Sequence, residues 1–146
     1  MNDESPSYAN PSGVRGICPS GWHLPSNEEW VTLDNYVNSD IECDSCAGTK
    51  LKVKTWPAGT FQGTSYPVGE DYYGWAGRAG GSAAAAVNSF ANLGLWSNYW
   101  NASHNNSNNT YSCSASLGPL KYLATANCEL PRVCLYSVRC IQDKEN

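Results

Sequence analysis

The run Leu24-Pro25-Ser26-Asn27-Glu28-Glu29-Trp30 fixes where a helix begins, and with it one face that must be buried. Proline disfavours helical backbone in the residue before it, so no helix runs in from the N-terminal side. Ser26 and Glu29 have the spacing of a capping box, in which each side chain satisfies a backbone N–H of the other. Beyond it Trp30, Leu33 and Val37 recur at helical spacing with Tyr36 beside them, and Asn27, Glu28, Asp34 and Asn35 fall on the other face. An amphipathic helix from Ser26 to Val37 follows, and the rest of the chain must supply what it packs on.

The remaining signals are shorter. Val14 to Ile17 reads as a short strand and Cys46 to Lys54 as a second, smaller helix. Trp56 to Ser82 is dense in Gly and Tyr and reads as long loops and turns. Ala83 to Asn92 admits a helical turn, since alanine is the best helix former, or a small-residue segment packed under a loop. Leu120, Tyr122 and Ala124 alternate as in a strand, and Leu135 to Gln142 reads as the last one. No internal repeat or boundary divides the chain, so one α+β domain is expected over residues 1–146.

Composition narrows the function classes. With 15% charged residues, six Trp and nine Tyr, the chain has the makeup of a folded domain with amphipathic aromatic surface. Nine basic residues are scattered and the net charge is -4, which argues against a nucleic-acid partner. No apolar run approaches the roughly 20 residues that span a bilayer, so direct membrane insertion is not expected. Seven cysteines favour an oxidising compartment, and their odd number leaves at least one thiol unpaired or intermolecular. The opening MNDESPSYANPSG is acidic and polar, without the features of a secretory signal. A mature form, or a fragment of a longer secreted protein, is expected.

Four stretches carry a resemblance. Cys18-Pro19-Ser20-Gly21-Trp22-His23-Leu24-Pro25-Ser26-Asn27-Glu28-Glu29-Trp30 and Ser137-Val138-Arg139-Cys140-Ile141-Gln142-Asp143 look like the signatures of the Fibrobacter succinogenes major paralogous domain. Ala9-Asn10-Pro11-Ser12-Gly13 and Ala47-Gly48-Thr49-Lys50-Leu51-Lys52 fit the same family, so the match frames the chain from about residue 8 to 143. The resemblance implies a C-type-lectin-like fold of the formylglycine-generating-enzyme branch: a small twisted antiparallel sheet, two helices and long loops. It also implies a disulfide between Cys18 and Cys140. The aromatic strand that usually precedes the Asn-Pro-Ser-Gly segment is missing here. The middle departs most, with Leu93 to Trp100 standing nearest to the family's Trp-Ser-Ser element.

Catalytic chemistry finds little support. Cys43-x-x-Cys46 would suit redox work or half a zinc site, but no second pair or thioredoxin-like pattern accompanies it, and a disulfide is the plainer reading. Cys128 and Cys134 are the only candidates for the copper-holding pair of the formylglycine-generating relatives, and their spacing does not match. His23 reads as a buried, hydrogen-bonded histidine, Glu28 and Glu29 as helix-start charge and cap. Glu70 and Asp71 lack any calcium-loop context. No catalytic residue, metal or cofactor is expected.

The binding candidates lie together. Trp96, Tyr99, Trp100 and Tyr111 are interleaved with Asn98, Asn101, His104, Asn105 and Asn108, the rigid-aromatic and adaptable-polar mixture of a recognition surface. Tyr72, Tyr73 and Trp75 are further candidates. The plainer alternative puts the tryptophans in the core and leaves the Asn-rich run as a solvated turn. The crowding of Asn, Ser, Tyr, His and Thr also resembles the variable positions of retroelement-diversified proteins of lectin fold, which bacteria encode. The expected function is thus a non-enzymatic module of a secreted or cell-surface protein, with a protein or glycan ligand. A purely structural envelope or adhesin-like domain is the first alternative, and a copper-dependent oxidase the second.

Overall fold

The structure is a computed structural model that describes residues 5–40, 44–56, 58–84, 89–105, 107 and 111–144. Strand β1 (Trp22–His23) leads into helix α1 (Asn27–Asp40) and the short helix α2 (Ala47–Leu51). Eight strands follow: β2 (Gly59–Phe61), β3 (Thr64–Tyr66), β4 (Ser82–Ala84), β5 (Ser89–Ala91), β6 (Ser97–His104), β7 (Tyr111–Leu117), β8 (Leu123–Pro131) and β9 (Cys134–Leu135), before β10 (Ile141–Gln142) returns to pair with β1. The protein is α+β, with two helices and four small antiparallel sheets among the described residues: β1-β10, β2-β3, β5-β4-β9 and β6-β7-β8.

The capping box forms in both directions. Ser26 N–H donates to Glu29 Oε2 at 2.9 Å, and Glu29 N–H donates to Ser26 Oγ at 3.2 Å. Trp30 and Val37 are buried and Leu33 packs beside them, as the helical spacing requires. They meet Ala47 and Leu51 of α2, Trp56, and Tyr99, Ala115, Leu117 and Leu123 from the inner face of the β6-β7-β8 sheet. Trp30, Trp75 and Tyr99 contact one another at ring-centroid distances of 5.3–6.1 Å, and the Arg139 guanidinium lies 4.2 Å over Trp75. Gly48 lets α2 approach the 121–122 backbone: a Cβ there would sit 2.2 Å from the Tyr122 carbonyl oxygen. The Ala47–Lys52 stretch is thus a packing element.

Two ties close the chain on itself. Cys18 and Cys140 form a disulfide of S–S 2.09 Å, across 122 residues. Beside it His23 is buried between two carboxylates, with Nε2 2.7 Å from Glu29 Oε1 and Nδ1 2.6 Å from Asp143 Oδ1. Burial alone would lower the His23 pKa, but the hydrogen bonds and charges of Glu29 and Asp143 outweigh it and the net direction is upward. A raised histidine pKa adds stability that is complete below the unfolded value near 6.5 and is lost as pH rises through the folded value. The melting temperature is therefore expected to fall as pH rises from 6 towards 8, and His23→Gln should flatten that slope. A parent protein with equal melting temperatures across this range would contradict it.

Several local expectations give way to tertiary pairing. The segment 14–17 forms no strand: Cys18 N–H donates to the Arg15 carbonyl, and Gly16 turns the chain at φ 55. The second helix stops at Leu51 because Lys52 becomes extended and bridges to Gly77. Within the region read as loop, β2 and β3 form a hairpin whose Gln62-Gly63 turn has φ of 50 and 78, the geometry of a type I′ turn. Of the stretch Ala83 to Asn92, residues 85–88 lie outside the described residues, and the described ends are not helical. Ser82–Ala84 and Ser89–Ala91 are strands, because β4 is held between β5 and β9 and this pairing overrides alanine's helix propensity. The strand expected from Leu120 begins at Leu123, after bends at 120–122. The last strand is broken into β9, a bridge at Ser137 to Tyr99, and β10, since the segment serves three partners in turn.

Candidate functional site

Strand β6 carries most of the candidate residues, and alternation sorts the first four. Ser97 and Tyr99 are buried on the core side; Asn98 and Trp100 are half-buried on the other face. Asn98 Oδ1 accepts a 2.7 Å hydrogen bond from Ser116 Oγ on β7. Trp100 stands against Tyr136 with ring centroids 4.8 Å apart, and its cross-strand neighbour is Ser114. Ser114 is fully buried, and its hydroxyl has no hydrogen-bond partner among the described residues. Tyr136 joins the sheet through Ser137, whose N–H donates to the Asn98 carbonyl and whose carbonyl accepts from Trp100 N–H.

An irregularity between Trp100 and His104 then turns the chain inward. Asn101 is buried, and its Oδ1 accepts from Ser103 N–H at 2.9 Å. Ser103 Oγ donates to the Ser7 carbonyl and accepts from Asn27 N–H, and Ala102 N–H donates to the Pro25 carbonyl. These bonds sew β6 to the lead-in and to the helix entry. Polar residues here hold the fold; Asn101 and Tyr99 offer a ligand no side-chain surface.

At the far end of β6, His104 is half-buried with its ring 6.1 Å from Tyr8. Asn105 Nδ2 donates to the Cys128 carbonyl, and its Oδ1 accepts from Ser107 N–H. Asn105, Ser107, Tyr111 and Glu129 line a depression of about 320 Å³. Asn108 lies outside the described residues. Trp96 is half-buried and packs on Gly118, where an added Cβ would come within 2.3 Å of its ring. The structure thus brings together Asn98 with Trp100, and Asn105 with Tyr111, on one sheet, and leaves Trp96, Tyr99 and Asn101 in packing positions.

Tyr136, Ser116 and Glu129 join the site unanticipated. The alternating serines of Ser112-Cys113-Ser114-Ala115-Ser116 mark a polar strand face and offered a signal for Ser116; nothing local pointed to Tyr136. Burial, then the hydrogen bond and charge of Cys134, raise the Tyr136 pKa; burial likewise raises that of Tyr99. Both phenols stay protonated at neutral pH. Cys113 is bonded to Cys128, and Cys46 is disulfide-bonded, with Cys43 outside the described residues. Cys134 keeps a free thiol. Cys128 and Cys134 are therefore not a pair of free thiolates, and the candidate copper pair is lost.

The fold and site define a disulfide-closed α+β domain whose main sheet packs one face on two helices and turns half-exposed aromatic and amide side chains outward. The family model of the Fibrobacter succinogenes major domain matches residues 7–142, and the chain belongs to that family. Searches of curated proteins and of solved structures found no match.

Proposed function

We propose that this domain is a non-enzymatic binding module of a secreted or cell-surface protein, with a C-type-lectin-like fold and a protein or glycan ligand. The observation that carries the reading is Trp100 braced on Tyr136 beside the Asn98–Ser116 hydrogen bond. A ring already held by a second ring loses little entropy on contact, and an adjacent amide and hydroxyl give orientation to a ligand edge. The depression at Asn105, Tyr111 and Glu129 extends the same sheet with further polar groups. Disulfides fit an oxidising compartment, and among the described residues no helix is long and apolar enough to cross a membrane.

Retroelement diversification remains part of the proposal for Asn98, Trp100, His104, Asn105 and Tyr111, whose side chains avoid the core cluster. Adenine-rich codons at these positions and a near-identical template copy in the gene's neighbourhood are its test. The scaffold alternative is favoured by one set of facts, the burial of Tyr99 and Asn101 within the polar run.

A glycan array and a panel of candidate surface proteins, probed with the parent, Trp100→Ala and Tyr111→Ala, separate the two readings. Parent binding is expected to fall about tenfold or more in Trp100→Ala, the loss typical of an aromatic anchor. Unchanged circular dichroism would show that the fold survives. Binding equal to the parent's in both variants sinks the proposal.

A further inference from the structure

We propose a second recognition surface, at the C-terminal end of α1, that takes an arginine- or lysine-containing segment of a partner protein. Three tyrosines form a row there. The Tyr73 ring lies 6.0 Å from Tyr36 and 5.0 Å from Tyr72, at interplanar angles of 56° and 72°. Tyr36 and Tyr72 are 57% and 60% exposed, so the row offers ring faces to solvent. Tyr73 Oη donates to Asp40 Oδ2 at 2.6 Å, which fixes the middle ring against the helix.

The end of α1 itself carries negative charge only. The last turn of α1 holds no basic residue and ends in Asp40, so the negative end of the helix dipole adds to a carboxylate. Glu70 brings a second carboxylate, ion-paired with Lys50. The Lys50 ammonium also lies 5.6 Å over the Tyr72 ring, so the chain itself seats one cation on the row. Among the described residues no cation covers Tyr36. A guanidinium suits this position: it stacks on an aromatic face and pairs with a carboxylate at its edge. The net charge of -4 favours approach of a basic segment.

The test uses a fluorescent, end-blocked octapeptide of alternating Arg and Gly, followed by anisotropy at low salt. Tyr36→Ala and Tyr72→Ala leave the protein's charge unchanged, and each is expected to weaken binding about three- to fivefold. Asp40→Asn should weaken it as well. Trp100→Ala should leave it intact, so failure here and failure of the Trp100 site read out separately. Peptide affinity equal in the parent and both tyrosine variants would mean diffuse charge attraction and would overturn the proposal. So would a neutral glycan whose binding, unlike the peptide's, depends on Tyr36 and Tyr72.

Discussion

Replacing Cys18 and Cys140 together by serine is expected to cost about 4–5 kcal/mol of folding stability, because the bond closes nearly the whole chain. The loop-entropy relation makes the loss grow with the logarithm of loop length. The Cys113–Cys128 bond spans 15 residues against 122 for the longer bond, so its removal should cost less, about 3 kcal/mol. Urea titration of the two double-serine variants measures both. A domain of this size has roughly 5–15 kcal/mol in all, so the first variant should be fragile and still measurable. If losing the short bond costs more than losing the long one, chain closure is not the source of the stability.

Lys52 should make the protein more stable as pH rises from about 8 towards 10. The side chain is fully buried at the end of α2; its Nζ donates to the carbonyls of Gly118 and Leu120 at 3.1 and 3.2 Å and lies 5.3 Å over the Trp56 ring. No carboxylate pairs with it among the described residues. Burial lowers its pKa from 10.5 to about 8. Between those values the unfolded chain holds a proton that the folded chain has released, so stability increases with pH across that window. The full swing is about 3 kcal/mol. Lys52→Met should abolish the rise while leaving two carbonyls without their donor. Urea midpoints of parent and variant at pH 7.5 and 9.5 give the comparison. Staying below pH 10 avoids the tyrosines: Tyr73, whose hydrogen bond to Asp40 pushes its pKa up to about 12, would oppose the trend if it ionised. A parent whose midpoint follows the variant's at both pH values would show that Lys52 stays charged throughout.

What could be read in advance followed the reach of each signal. The helix start was legible because Pro25, Ser26 and Glu29 act within four residues, and Trp30, Leu33 and Val37 share one face by spacing alone. Short strands were not, since β4 and β9 exist through partners about fifty residues apart, and no window around Ala83 contains them. Lys52 in the interior was illegible for the same reason: its carbonyl partners come from the far side of the chain. The crowded aromatics and amides near Trp100 marked a stretch of chain by composition alone. Composition could not divide it, because Tyr99 and Trp100 differ only in which way alternate strand positions point. The division came from the strand's period of two and from Tyr136, which arrives on the sheet by a route no local pattern foretold.

The covalent link at Cys18 and Cys140 also governs how this domain responds to mechanical pull. Tension applied between Cys18 and Cys140 runs through two sulfur atoms and bypasses the helices and strands between them, whereas Ser7 and Ser12 ahead of Cys18 are held by hydrogen bonds. The segment between the two cysteines would remain slack under traction that unravels an open chain, and the face bearing Asn98 and Trp100 would keep its shape.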